Sequence, residues 1–79
     1  MTTQSFLKAQ ANLASSVKRL RTSLGLTQEE LAFRAGIDRT YASQIERAIA
    51  NPSLAIICVL ADELGCDCND LLVGAPRSK

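Results

Sequence analysis

A chain of 79 residues has room for one domain, and 47% hydrophobic with 22% charged residues is an ordinary globular composition that argues against intrinsic disorder. No run approaches the ~20 apolar residues that span a bilayer. The net charge of +1 says nothing about a polyanionic partner, but residues 1–47 carry seven basic side chains against four acidic ones while residues 48–76 carry four acids and no base, so one side of the molecule is fitted to approach a polyanion.

The opening MTTQSFLKAQ lacks the apolar core of a signal peptide, and the protein is expected to stay in the cytoplasm. From about residue 5 to 24, Phe6, Leu13, Val17, Leu20 and Leu24 recur on one side of a helical period, with Lys8, Lys18, Arg19 and Arg21 elsewhere on the wheel, and Gly25 supplies the stop. Thr27 followed by Glu30 is a capping box, with Leu26 and Leu31 placed as a hydrophobic staple. It opens a second helix, Gln28 to Ala35, which Gly36 ends through its tolerance of positive φ. Asp38 is placed to cap a third helix running from Arg39 to about Ala48. Asn51, Pro52 and Ser53 then break and restart the chain into a fourth helix whose buried stripe is Leu54, Ile57, Leu60, Ala61 and Leu64, closed by Gly65. Asp67 is placed to cap a short fifth helix through Leu71, Leu72 and Val73, closed by Gly74, before the tail APRSK, which is expected to fray. With no alternating run of β-branched and aromatic residues, the fold class is all-α: a single domain over residues 1–79, its five helices and core lying within about 5–74.

So small a domain is commonly steadied by a disulfide, a metal or oligomerisation. Three cysteines, an odd number with a C-x-C spacing, and no histidine give poor support to a disulfide or a zinc site and fit a reducing cytosol. Cys58 reads as a small buried hydrophobe within LAIICVLADEL, and Cys66 and Cys68 have no basic neighbour to make a reactive thiolate. No metal or other cofactor is expected.

The third helix carries the chemistry. At about 100° per residue, Arg39, Thr40, Ser43, Gln44 and Arg47 fall within an arc of about 140°, with Tyr41, Ala42, Ile45, Ala48 and Ile49 on the opposite side. Every surface helix needs a wet side, but a merely solvated one mixes Glu with Lys at i,i+4 spacing. This one offers forked guanidinium groups, an amide and two hydroxyls, the groups that pair with base edges in a DNA major groove. Glu46 stands at the border of the arc. Two capped helices separated only by Gly36, Ile37 and Asp38 must cross steeply, and small Ala32 and Ala42 let their backbones approach, which is the geometry of a helix-turn-helix.

The run LGLTQEELAFRAGIDRTYASQIER, continuing into NPSLAIICVLADELG, resembles the lambda-repressor/Cro-like (XRE family) helix-turn-helix transcription regulators over roughly residues 17 to 73. The TQEELA, DRTYxSxIER and NPS segments are specific in combination, and the small controller proteins of restriction-modification operons are nearest in size and in the DRTY phrase. The resemblance implies a five-helix domain that binds double-stranded DNA as a homodimer on a palindromic operator. It places Arg39, Thr40, Ser43 and Gln44 at base-reading positions, Gln28 at a phosphate contact, Asn51 in a loop that touches the DNA backbone, and Arg21 with Glu46 as an internal salt bridge. Thr27, Tyr41 and Arg47 are further candidates for phosphate contact. The family commonly has glycine after the Glu-Arg, where this chain has Ala48. Alanine can continue a helix, so the third helix is expected to run on through Ile49, and with Ile49 and Ala50 replacing a usual basic residue, phosphate affinity is expected to be modest.

For the dimer surface the candidates are Cys66, Asn69, Leu72 and Val73, with Ile56 and Val59 on the outer side of the fourth helix. Closing the monomer core is the competing role for Leu71 and Leu72. The sequence has no histidine, no clustered carboxylates, no Gly-rich phosphate loop and no nucleophile paired with a base, which argues against an enzyme. No small-molecule ligand is expected, since so short a chain leaves no room for a sensory domain. The rival reading is a helix-turn-helix interaction module, an adapter or antitoxin, that turns the same polar face towards protein.

Overall fold

Five helices organise the described residues, 2–74, of a computed structural model: α1 (Gln4–Ser23), α2 (Gln28–Ala35), α3 (Arg39–Glu46), α4 (Leu54–Leu64) and α5 (Cys68–Leu72). The tail 75–79 lies outside the described residues. No strand occurs among those described, and no helix there is long and apolar enough to cross a membrane.

The first four helices each begin where a short polar side chain meets a backbone donor left free by the first turn. Thr3 Oγ1 accepts from the N–H of Phe6 at 3.0 Å, Asp38 Oδ2 from Thr40 at 2.9 Å, and Ser53 Oγ from Ile56 at 3.2 Å. At α2 the capping box is reciprocal: the Glu30 N–H donates to Thr27 Oγ1 at 3.0 Å and the Thr27 N–H to Glu30 Oε1 at 2.8 Å. At α5 the Asp70 carboxylate accepts from the N–H of Asp67 at 3.0 Å.

The core is built from Leu13 and Val17 of α1, Leu31 of α2, Ile45 of α3, Ile57, Leu60, Ala61 and Leu64 of α4, and Leu71 of α5. Leu71 is fully buried, which settles its role, while Leu72 is half-buried and Val73 exposed. Leu24 and Leu54 depart from the expected stripes and are exposed. Leu24 is the cap residue at the end of α1, and Leu54 is the first residue of α4, so both overhang the packed region.

The third helix is shorter than expected, ending at Glu46 rather than reaching Ala48 or Ile49. The Ile49 N–H returns to the Gln44 carbonyl at 3.0 Å and the Ala48 N–H to that of Ile45 at 3.1 Å, the double closure of a Schellman motif. Ala48 takes φ 59°, the one positive φ outside glycine among the described residues. Alanine thus adopts the conformation for which the family uses glycine. Tertiary contacts override its helix preference: Ala50 is drawn into the core, and Gln10 Nε2 holds the Ala50 carbonyl at 2.7 Å.

Cysteine pairing is a second correction. Gly65 (φ 76°) turns the chain back after α4, and Cys58 of α4 lies against Cys68 of α5 as a disulfide, with a Cα–Cα separation of 5.1 Å. The reading of Cys58 as an isolated buried hydrophobe, and of a disulfide as poorly supported, is overturned. Cys66 is free and half-buried. Burial, then the neighbouring Asp70 and Asp67, push its thiol above the ordinary cysteine range.

Candidate nucleic-acid interface

The turn between α2 and α3 is closed by Gly36, with φ 70°, and by the Ile37 N–H donating to the Ala32 carbonyl at 3.0 Å. Ala32, Ala42 and Ile45 are buried, so the two helices share an apolar seam. Because Ala42 and Ile45 face inward, the opposite side of α3 faces out. Arg39, Thr40 and Arg47 are exposed there, and Ser43 and Gln44 are half-buried. The five polar residues expected on one face are therefore brought together around one side of α3 and its cap.

The phosphate candidates are spread around this face. Thr27 is exposed, and its oxygen already accepts the Glu30 N–H. The backbone N–H groups of Gln28 and Glu29, the first two of α2, precede any intrahelical partner and are of the kind that receives anions. A shallow hollow lined by Arg21, Thr27, Gln28, Glu29 and Arg39 joins the amino ends of α2 and α3. Asn51 is exposed in the loop before α4, whereas Tyr41 is half-buried and packs on the core. Glu30 also stands at the amino end of α2. Its carboxylate is held below the ordinary glutamate range by the Thr27 backbone N–H and then by the Thr27 hydroxyl.

Behind the polar face lies the one ion pair among the described residues. Arg21 Nε donates to Glu46 Oε2 at 2.6 Å and Nη2 to Oε1 at 3.0 Å, the fork-to-fork geometry that gives the strongest arginine–carboxylate contacts. Their side chains are 11% and 3% exposed. Arg21 Nη1 donates to the Leu26 carbonyl at 2.6 Å, and Gln28 Nε2 donates to Glu46 Oε1 at 3.1 Å. Glu46 is the main cause holding the guanidinium above its ordinary range, against burial, which lowers it. The cluster joins α1, the α1–α2 turn, the first residue of α2 and the last of α3, so it sets the angle at which α3 is presented. The role of Gln28 in it escaped sequence reasoning, because no local spacing rule reports a contact across 18 residues.

Five helices, with α2 and α3 joined through the turn at Gly36 and α3 presenting a guanidinium, amide and hydroxyl face, define a helix-turn-helix domain. Residues 17–71 match the helix-turn-helix family HTH_3, and the chain belongs to that family, as an XRE-type transcription regulator. It is 42% identical over 53 residues to the uncharacterized HTH-type transcriptional regulator y4dJ of Sinorhizobium fredii, covering 67% of this chain and 69% of that protein. Among solved structures, the hypothetical transcription factor NHTF from Neisseria aligns with a TM-score of 0.81 at 39% identity, over 84% of this chain and 76% of its own. The restriction-modification controller protein C.AhdI from Aeromonas hydrophila aligns with a TM-score of 0.75 at 39% identity, over 78% and 94%. No group of three or more His, Cys, Asp or Glu among the described residues is arranged to hold a metal ion.

Proposed function

We propose that the protein, a DNA-binding transcription regulator, acts as a single-domain homodimer on an inverted-repeat operator, with each α3 in a major groove. The observation that carries this reading is the division of α3, which turns Ala42 and Ile45 into the core and leaves Arg39 and Thr40 exposed, with Ser43 and Gln44 beside them. Arg39 suits guanine, Gln44 suits adenine, and Thr40 and Ser43 adapt to either. Phosphate contacts from Thr27, Gln28, Tyr41, Arg47 and Asn51, assisted by the amino end of α2, set register and supply salt-sensitive affinity.

One recognition helix reads too few base pairs to find a site in a genome. Two of them about 34 Å apart enter successive major grooves on one side of the duplex, which calls for half-sites one helical turn apart. The self-association face is assigned to Cys66, Asn69, Leu72 and Val73. Asn69 and Val73 are exposed, and Cys66 and Leu72 are half-buried beside them. Dimerisation then makes occupancy respond to the protein's own concentration.

Footprinting on the DNA upstream of its own gene, combined with a salt titration, tests the proposal. A protected inverted repeat, with affinity falling steeply as salt rises, is the expected result. A flat salt response with no protected site would instead favour the interaction module. Phe33, an apolar side chain 87% exposed on α2, is the feature that speaks for protein contact.

A further inference from the structure

The fifth helix has only five residues, too few to be stable alone, so its position depends on what fastens it. On the α1 side, Leu71 is fully buried, Asn12 Nδ2 donates to the Leu72 carbonyl at 3.1 Å, and Ser16 Oγ donates to that of Val73 at 3.5 Å. On the α4 side stands the Cys58–Cys68 pair. Its Cα separation of 5.1 Å lies inside the window that a disulfide needs, without backbone movement. Both residues are half-buried, so a small reagent can reach them. Cys66 is turned elsewhere, lining a hollow with Arg19, Leu20, Asp70 and Val73.

We propose that Cys58 and Cys68 form a reversible thiol–disulfide exchange site, whose co-substrate is a low-molecular-weight disulfide and whose closure fastens α5 to α4. In the forward direction one cysteine thiolate attacks a sulfur of the small disulfide, forming a mixed disulfide and releasing one small thiol. The second cysteine thiolate then attacks the protein sulfur of that mixed disulfide and releases the other small thiol. The protein loses two protons and two electrons, and the small disulfide is reduced to two thiols. Because α5 carries Asn69 and Leu72 and leads directly into Val73, closure also tightens self-association; this consequence rests on the dimer reading above.

The full chain, incubated with oxidised or reduced glutathione, provides the test. Peptide mass spectrometry is expected to find Cys58 joined to Cys68 and Cys66 free to be alkylated. Amide exchange at Leu71 and Leu72 slows about tenfold or more in the oxidised form, and the unfolding midpoint rises by about 10 °C. Cys66→Ser retains both effects and Cys68→Ser abolishes them. If Cys68→Ser does not fold, the oxidised and reduced forms of the unaltered chain still give the comparison. Glutathione adducts as the sole product, a bond involving Cys66, or equal α5 exchange in the two forms would overturn the proposal. Sedimentation separates it from the dimer reading: a monomer in both forms, with the bond mapped and α5 protected, removes the dimer and leaves the exchange site standing.

Discussion

The guanidinium of Arg21 and the carboxylate of Glu46 meet through two hydrogen bonds at 2.6 and 3.0 Å across 25 residues of sequence, and together they fix α3 against α1. With Glu46 almost wholly buried, removing one partner strands the other charge. Glu46→Gln or Arg21→Met is expected to lower unfolding free energy by about 3–5 kcal/mol. Replacing both together, Arg21→Met with Glu46→Leu, is expected to cost less than either single change. Urea unfolding of the three variants checks this, and an undiminished midpoint in Glu46→Gln would make the pair a loose surface contact.

Ala48 occupies left-handed backbone at φ 59°, where a side chain costs about 1–2 kcal/mol and glycine costs little. After allowing for the greater freedom of glycine in the unfolded chain, Ala48→Gly is expected to stabilise the protein by about 0.5–1 kcal/mol, raising the thermal midpoint by a few degrees. Ala48→Val should lower it. Calorimetry decides, and a loss of stability on Ala48→Gly would show that the methyl group makes packing contacts that outweigh its strain.

The contrast between these two sites shows what could be read in advance. The Thr27–Glu30 capping box, the glycine stops and the Arg21–Glu46 pair were legible because each is announced by local spacing or by the family pattern. Ala48 was not. Its intrinsic preference favours continuing the helix, while the demand to turn comes from the seating of Ala50, visible only once the chain is folded. Cys58 and Cys68 were hidden for a related reason, since a C-x-C spacing draws attention to Cys66 and Cys68 while the reversal at Gly65 selects the more distant partner. The grouping of polar residues on one side of α3 was legible from helical periodicity alone. The bond of Gln28 to Glu46 was not, because it crosses between helices.

Glu30 makes the capping box sensitive to acid. Its carboxyl titrates below the ordinary glutamate value in the folded chain, so its contribution is fully present above that value and is lost as pH falls through the lowered one. Glu30→Gln retains a side chain able to accept the Thr27 N–H but cannot titrate. The variant is expected to show a shallower loss of stability on acidification than the parent, measured as unfolding midpoint against pH. Parallel pH profiles would remove Glu30 from the acid response.

On DNA, the proposed division of labour between α3 and the start of α2 predicts two kinds of loss. Arg39→Ala is expected to weaken operator binding by about 1–3 kcal/mol and to relax preference at one base position. Gln28→Ala should weaken all sequences alike, and it should also lower stability modestly because the Glu46 bond is lost. Titrations on a panel of operator variants distinguish the two, and unchanged base preference in Arg39→Ala would take Arg39 off the list of readers.

Gln10 lies on α1, yet its amide grasps the carbonyl of Ala50, immediately before Asn51. Under the operator reading proposed above, a change deep in the amino-terminal helix shifts where the loop after α3 lies against the duplex, without altering any of the proposed DNA-contacting side chains. Screens for altered operator affinity that sample only the outward-facing arginines would overlook this lever. The longest helix among the described residues serves as the jig in which α3 and the loop after it are aligned.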